Sequence, residues 1–461
     1  MSLPEKFVER TLCEWGEVEG RALCVALDSD SPIAVRINPD KTTTDITSLS
    51  QLSIDQRVSW CNTGYYLTER PAFTFDSDFH AGAYYVQEPS SQFVEYLLQH
   101  VEMRGARILD MCAAPGGKTT LYASLVGAKG LVVANEIDRR RAQVLADNVR
   151  KWGTGNVVVT LGDSSSWGES TGWFDVVAVD APCSGEGMFR KDPQARTEWS
   201  EGNVKLCATR QDTILRDAWQ ALRAGGTLIY STCTFNRTED EGSLERMLEW
   251  AGDAVVEAQN IVTDPAWGVV CGRVGAFQTF RFFPHRTCGE GFFAAVARKS
   301  FDTGEPERIP KSRNTTISAV NKSIETELRR WITEPDQFTF GLVGDTCYGW
   351  PTEQFEKVRL LSEKKTVIYS GVAMGQLFKG VLKPDPALAF AVGLHREALP
   401  VTELSSEQTL RFLRRQDIDA SQLAEGMNLI IARGRALGFA KRIGNRVNNL
   451  YPNSLRILKN D

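Results

Sequence analysis

Histidine is scarce in this chain, paired cysteines are missing, and no long apolar run occurs. Four scattered histidines and ten cysteines without a single C-x-x-C pair leave no spacing that suits structural zinc. No stretch of 18 apolar residues is present, and the opening MSLPEKFVERTLCEWGEVEG carries charge where a secretory signal has its apolar core. An excess of positive charge is also lacking. The 53 Lys and Arg stand against 58 Asp and Glu, a formal charge of −5, so any nucleic-acid site must come from local patches. The expectation is a cytoplasmic protein with reduced thiols, no metal and no membrane partner.

What remains is an ordinary globular composition, 42 % hydrophobic and 24 % charged, which excludes disordered and collagen-like chains. At roughly 150 residues per domain, 461 residues suggest about three domains. Residues 1–75 combine a helical start, Lys6 to Glu14, with a strand-like Ile33–Asn38, which reads as small α+β material. The middle of the chain is different. Ala106–Asp110, Leu131–Ala134, Val157–Thr160, Asp175–Asp180 and Thr227–Tyr230 are short apolar runs rich in β-branched residues, suited to strands covered on both faces. Amphipathic stretches such as Arg139–Lys151 and Val204–Leu222 separate them. This α/β alternation predicts a parallel sheet whose ligand sits beyond the carboxyl ends of its strands. It ends after Phe292–Ala297, and a linker is expected at 301–316. Between Gly426 and the C-terminus, Arg433, Arg435, Lys441, Arg442, Arg446, Arg456 and Lys459 face one acid, Asp461. Such an island is either a nucleic-acid contact or a solvated face.

The first strand of the middle region runs into Asp110-Met111-Cys112-Ala113-Ala114-Pro115-Gly116-Gly117-Lys118-Thr119-Thr120 and then a helix. Small residues let backbone approach a ligand, and the helix start offers free N–H groups. A P-loop would need glycine where Cys112 stands, so phosphates gripped by lysine are not indicated. The next strand ends at Glu136, placed to accept hydrogen bonds from ribose hydroxyls, and the third leads to Asp163, placed for an adenine amino group. With Asp180 closing the fourth, the pattern fits an adenosine cofactor, and S-adenosylmethionine suits it.

Strand four leads into Asp180-Ala181-Pro182-Cys183-Ser184-Gly185-Glu186-Gly187, strand five into Ser231-Thr232-Cys233-Thr234. Two cysteines are thus expected at one crevice beside a methyl donor. Carbon 5 of a pyrimidine is a poor nucleophile, but thiolate addition at carbon 6 makes it enamine-like. Asp180 can supply a proton or hydrogen bond at ring N3, and one cysteine can aid removal of the C5 proton. A free thiol needs a favourable field to ionise, and Lys118 and the sulfonium are positive. Spacing does not say which cysteine attacks.

These motifs resemble the NOL1/NOP2/Sun RNA cytosine-C5 methyltransferases, and most nearly their bacterial YebU/RsmF-type 16S ribosomal RNA branch. The resemblance rests on Cys112–Lys118, Asp180–Gly187 and Ser231–Thr234, and extends to Arg36–Pro39, His80–Glu88, Arg281–Arg286, Gly434–Phe439 and Asn448–Pro452. It implies Cys233 as nucleophile, Cys183 as an aid to product release, and Asp180 as a contact to cytosine, with Lys118 beside them. Cofactor contacts are implied at Cys112, Ala113, Ala114, Pro115, Gly116, Gly117, Lys118, Glu136, Asp163 and Asp180. The implied fold is a Rossmann-like class I methyltransferase domain at 76–300, preceded by an N-terminal α+β RNA-binding-like domain at 1–75. After the linker come an intermediate domain at 317–400 and a PUA-like RNA-binding domain at 401–461. The implied partner is 16S rRNA, near the decoding region and within the 30S subunit, met by a monomer. Transfer RNA as substrate, and a ribosome-assembly factor that binds RNA without chemistry, are the competing readings. DNA cytosine methylation fits less well, because it usually relies on a lone Pro-Cys nucleophile. Gln87–Ser91 is expected to cap a helix, and Phe73, Phe75, Tyr84 and Tyr85 to pack in a core rather than stack on bases.

Overall fold

The computed structural model describes residues 2–42, 49, 51–252, 256–300 and 316–459, so the expected linker lies, but for Thr316, outside the described residues. The N-terminal helix runs over Glu5–Ala26, longer than expected, with its regular geometry broken at Gly16 (φ +79°). Strands β1 (Ile33–Ile37), β2 (Ile54–Arg57), β3 (Gly64–Leu67) and β4 (Tyr84–Val86) form an antiparallel sheet in the order β2-β3-β1-β4. Strand β4 lies beyond residue 75, yet its register, Arg36 opposite Tyr85, belongs to this sheet.

The apolar runs build the central sheet. Strands β5 (Arg107–Asp110), β6 (Leu131–Glu136), β7 (Val157–Leu161), β8 (Phe174–Asp180) and β9 (Leu222–Thr232) are parallel, in the order β7-β6-β5-β8-β9. Alternate residues feed two cores. Ile108, Val132 and Val176 pack on one face, Leu109, Val133 and Val177 on the other. This two-sided burial explains why the strands read as near-continuous apolar runs. Beyond a short β10 (Val256–Glu257), strands β11 (Val270–Val274), β12 (Phe277–Phe282) and β13 (Phe292–Lys299) extend the β9 edge in antiparallel fashion.

The region from 317 to 400 contributes β14 (Ser318–Ala319), β15 (Phe338–Val343), β16 (Thr346–Pro351), β18 (Val372–Phe378) and β19 (Val381–Pro384) to a sheet of its own. Its β17 (Thr366–Ser370) instead pairs antiparallel with β7 and closes the far edge of the central sheet. Finally β20 (Val401–Glu403), β21 (Gly426–Ala432), β22 (Arg435–Ile443) and β23 (Arg446–Asn449) form the C-terminal sheet. No helix among the described residues is long and apolar enough to cross a membrane.

The N-terminal domain touches both of its neighbours. Phe7 packs edge-on against Phe189 and Trp199, with ring centroids 5.0 and 5.7 Å away. Arg36, fully buried, donates to Gln87 Oε1 (2.8 Å) and Gly117 O (3.0 Å) and lies over the Trp152 ring at 4.6 Å. Towards the C-terminal sheet, the buried Asp78 carboxylate meets Arg435 at 3.0 Å and Arg433 at 3.1 Å. His80 Nδ1 lies 2.8 Å from the Tyr451 hydroxyl. Arg433 and Arg435 are therefore not part of a free basic island, as the sequence suggested; their charge is spent on a buried acid between domains. Arg442 is likewise engaged, donating to Leu423 O (2.6 Å) and Gly444 O (2.8 Å). Lys441, Arg446, Arg456 and Lys459 remain exposed.

Removing one partner from a buried ion pair strands the other charge. Asp78→Ala should therefore cost about 3 kcal/mol and ease proteolytic release of the C-terminal sheet. Chemical denaturation and limited proteolysis check this, and a change below about 0.5 kcal/mol would contradict it.

Candidate active site

Parallel pairing sets Asp180 beside Ser231, so the loops after β8 and β9 leave the sheet at one level. Cys183 Sγ and Cys233 Sγ come within 3.2 Å of each other. The Gly187 N–H donates to Cys233 O at 2.8 Å. A Cβ at Gly187 would stand 2.6 Å from Gly291 O and 2.8 Å from Cys233 O, so only glycine permits this approach.

Two buried carboxylates hold these loops. Glu186, 1 % exposed, accepts at Oε2 from Thr234 Oγ1 (2.7 Å), Phe235 N (2.8 Å) and Asn236 N (3.1 Å). At Oε1 it accepts from Trp199 Nε1 and Asn236 Nδ2, each at 3.0 Å. Glu239 accepts from Ser184 N (2.9 Å), Gln211 Nε2 (2.9 Å) and Asn236 Nδ2 (2.7 Å). These positioning residues were not singled out from the sequence. Their available signal was a carboxylate inside each cysteine loop, Glu186 three residues after Cys183 and Glu239 six after Cys233.

Cys233 opens onto a cavity of about 410 Å³, lined also by Cys112, Ala113, Ala114, Pro115, Gly117, Lys118 and Asp180. The opposite wall comes from the N-terminal region and the β12–β13 turn, through Tyr85, Gln87, Glu88, Ser91, Glu290 and Phe292. Glu88 also caps the following turn, accepting from Ser90 N (2.8 Å) and Ser91 N (2.6 Å), as expected. Phe73 and Tyr84 are buried core residues, whereas Tyr85 is half-buried at the cavity wall. Cys183 does not line this cavity, although it is half-buried like Cys233.

Lys118 Nζ lies 2.8 Å from Asp180 Oδ2, and Ser231 Oγ donates to Asp180 Oδ1 at 2.8 Å. Burial works against the Lys118 charge, but the Asp180 carboxylate outweighs it and holds the ammonium above the usual lysine range. The hydrogen bond to Cys233, with burial, pushes the Cys183 thiol well up. The two sulfurs lie within hydrogen-bond reach, and either thiol can be the donor. Cys112 is also held as a thiol by burial. Asp110, fully buried beneath the loop, is pushed up to about 7 by desolvation, although Thr119 Oγ1 donates to it at 2.6 Å.

The cofactor loop is anchored by its carbonyls. Ala114 O accepts from Arg141 (2.9 Å), Pro115 O from Asn148 (2.8 Å) and Gly117 O from Arg36 (3.0 Å), three donors that themselves lie outside the cavity lining. Gly116 turns at φ +109° towards Leu145, and the Gly117–Val126 helix starts without a side-chain cap, leaving its first N–H groups available. Glu136 ends β6 and Asp163 stands two residues past β7, both outside that lining. Glu136 Oε1 accepts from Ile137 N and Asp138 N, while the buried Oε2 accepts no hydrogen bond and has only Arg141 NH1 at 3.5 Å. An orphaned carboxylate oxygen beside an uncapped helix start fits a ribose hydroxyl of a methyl-donor nucleoside. Asp163 is exposed, and accepting from Ser165 N (3.0 Å) lowers its pKa and keeps it charged.

Comparison with known proteins is consistent along the chain. Residues 96–298 match the family described as 16S rRNA methyltransferase RsmB/F. Residues 3–89 match the N-terminal domain of 16S rRNA methyltransferase RsmF, and 399–457 the methyltransferase RsmF PUA domain. The ribosomal RNA small subunit methyltransferase F of Erwinia tasmaniensis is 31 % identical over 426 residues, covering 86 % of this chain and 84 % of that protein. Its counterpart in Aeromonas salmonicida is 32 % identical over 415 residues, with the same coverages. Among solved structures, a methyltransferase homolog protein from Pyrococcus horikoshii is similar at TM-score 0.54 and 27 % identity, over 64 % of this chain and 95 % of that one. NSun6 from the same organism, solved with SFG, shares the fold at TM-score 0.54 and 19 % identity, over 64 % and 98 % of the two chains.

The Asp110 proton gives a pH signature. Between about pH 4 and 7 the folded protein holds a proton that the unfolded chain releases, so this group's contribution to stability falls as pH rises and reaches its minimum above 7. Asp110→Asn removes that penalty. Its melting temperature should exceed that of the wild type by a margin that widens from about pH 5 to about pH 8. Parallel melting profiles across that range would contradict this.

Proposed function

This chain belongs to the RsmB/F family of 16S rRNA methyltransferases, and from that membership we propose that it methylates carbon 5 of a cytosine in 16S rRNA through a covalent Cys233–C6 adduct. The methyl donor is S-adenosylmethionine, which when bound supplies a carbon made electrophilic by its sulfonium. One observation carries the reading: two free thiols 3.2 Å apart, one of them on the wall of the cofactor cavity.

The residues divide the work as follows. The Cys233 sulfur adds to ring carbon 6 while the Cys183 S–H and the Lys118 ammonium stabilise its negative charge. The Lys118–Asp180 pair presents a proton to ring N3, where electron density collects. Once the Cys233 sulfur is bonded to carbon, it is a neutral thioether and no longer holds the proton on Cys183. Once carbon 5 carries the methyl group, that thiol gives its own proton to water and accepts the C5 proton. The C5–H electron pair becomes the C5–C6 double bond, Cys233 leaves as thiolate, and N3 returns its proton to the Lys118–Asp180 pair. Cys112 to Lys118, with Glu136 and Asp163, hold the donor.

Around this centre the N-terminal region, whose sheet runs on to β4, and the segment 401–461 are read as RNA-binding domains, the region from there to 300 as the catalytic domain and 317–400 as an intermediate domain. An acidic protein with four exposed C-terminal cations fits a substrate presented by an assembled 30S subunit better than naked RNA. The enzyme acts there as a cytoplasmic monomer.

Cys233→Ala should abolish transfer, and Cys183→Ala should accumulate a covalent protein–RNA species visible on a denaturing gel. The reverse pattern would exchange the two roles. Bisulfite sequencing of rRNA from a strain lacking the gene should reveal an unmethylated cytosine, and an unchanged profile would remove the reading. Replacing Lys441 and Arg446 together by Ala should lower the slope of log affinity against log salt by about 1 to 2. An unaltered slope would return these residues to a solvated face.

A further inference from the structure

A second cavity, of about 310 Å³, backs onto the catalytic one. Tyr85 and Val86 of β4 line both, so the two hollows meet at one strand of the N-terminal sheet. Their chemistry is opposite. The catalytic cavity is lined by Asp110, Asp180, Glu88 and Glu290; the second has no acid in its wall. It is built from aromatic rings, with Phe79 and Phe73 each about 6 Å from Tyr84 (centroids 6.0 and 6.2 Å), and from the cations Lys151 and Arg70.

Lys151 is the informative residue. Its ammonium lies 4.5 Å from the Phe79 ring, and no carboxylate among the described residues comes within ion-pair distance of it. Asp147, one turn back on the same helix, acts on it at longer range but is bonded to Arg150 at 2.7 Å. Burial lowers the Lys151 pKa to about 8. A partly desolvated cation with no anion, facing a ring-lined hollow, lacks a partner that an incoming anion can supply. Asn148, whose amide nitrogen donates to Pro115 O at 2.8 Å, belongs to the same wall.

Aromatic faces with a cation beside them match the two parts of a nucleotide, a ring that stacks and a phosphate that pairs. Resting on the reading of this chain as an rRNA methyltransferase, we propose that this second cavity takes the nucleotide next to the methylated cytosine. Its base stacks on Phe79, which is half-buried and backed by the buried Phe73 and Tyr84, and its phosphate pairs with Lys151. One strand, β4, then separates the flanking nucleotide from the target, and the RNA backbone crosses it between the two hollows.

The test uses 30S subunits purified from a strain lacking the gene, with Lys151→Met and Phe79→Leu as separate variants of the full chain. Both keep bulk in the wall, and Lys151→Met leaves the ring packing untouched. Each should raise the KM for 30S subunits about tenfold, the loss of one stacking or phosphate contact, with kcat within about twofold of wild type. S-adenosylmethionine affinity should not move in either variant, nor the melting temperature of Lys151→Met. Filter retention of the same subunits should show a parallel loss of affinity. If wild type retains subunits without methylating them, the proposed reaction fails, and the cavity is still judged by the retention of its variants. Unchanged KM and retention in both variants would overturn the proposal. So would weaker cofactor binding with unchanged subunit retention, which would make the hollow part of the cofactor site.

Discussion

A carboxylate that never meets water, on Glu186, is the constraint on which the reactive pair depends. Taking such a charge out of water without compensation would cost several kcal/mol or more. Five donors compensate it, two of them the backbone N–H groups of Phe235 and Asn236. The loop after β8 thereby fixes the backbone of the loop after β9, and Glu239 returns the favour by accepting from Ser184 N. Glycines 187 and 291 let the chains approach closely enough for this exchange. The 3.2 Å between two sulfurs is thus held by buried polar geometry around them and by their mutual hydrogen bond, with no disulfide joining them.

A similar logic joins the domains. Arg36 reaches out of β1 to hold the carbonyl of Gly117, so the N-terminal sheet helps to set the start of the cofactor helix. Strand β4 of that sheet supplies part of the cavity wall, and β17 arrives from far along the chain to cover the β7 edge. Asp78 binds two arginines of the C-terminal sheet. Buried polar contacts of this kind favour one arrangement of the domains because any other would strand charges. The cavity onto which Cys233 opens is walled by the N-terminal and central regions together.

How much of this was legible beforehand depended on the range of the interaction. The strands of the central sheet stood out as apolar runs, because burial on both faces leaves nothing polar to interrupt them. The loops carrying Cys112–Lys118, Cys183 and Cys233 were legible because small residues, prolines and thiols in those patterns have few other uses. Less visible was the fate of individual charges. Arg433 and Arg435 looked like a basic patch, since a sequence shows a charge but not the Asp78 that neutralises it more than 350 positions away. Strand β4 fell past an expected boundary because a three-residue strand has too short a pattern to announce its sheet. Glu186 and Glu239 read as ordinary loop acids until burial was known.

The chain's local chemistry therefore determined its elements and where its chemistry-bearing side chains fall: which runs become strands, and which loops carry the small residues, carboxylates and thiols. Those follow from steric and hydrophobic preferences acting over a few residues. Only the tertiary structure decided which thiol faces the cavity, which carboxylates are buried, and which cations remain for a ligand. These depend on desolvation and on partners brought from distant positions, and neither exists until the chain has closed on itself.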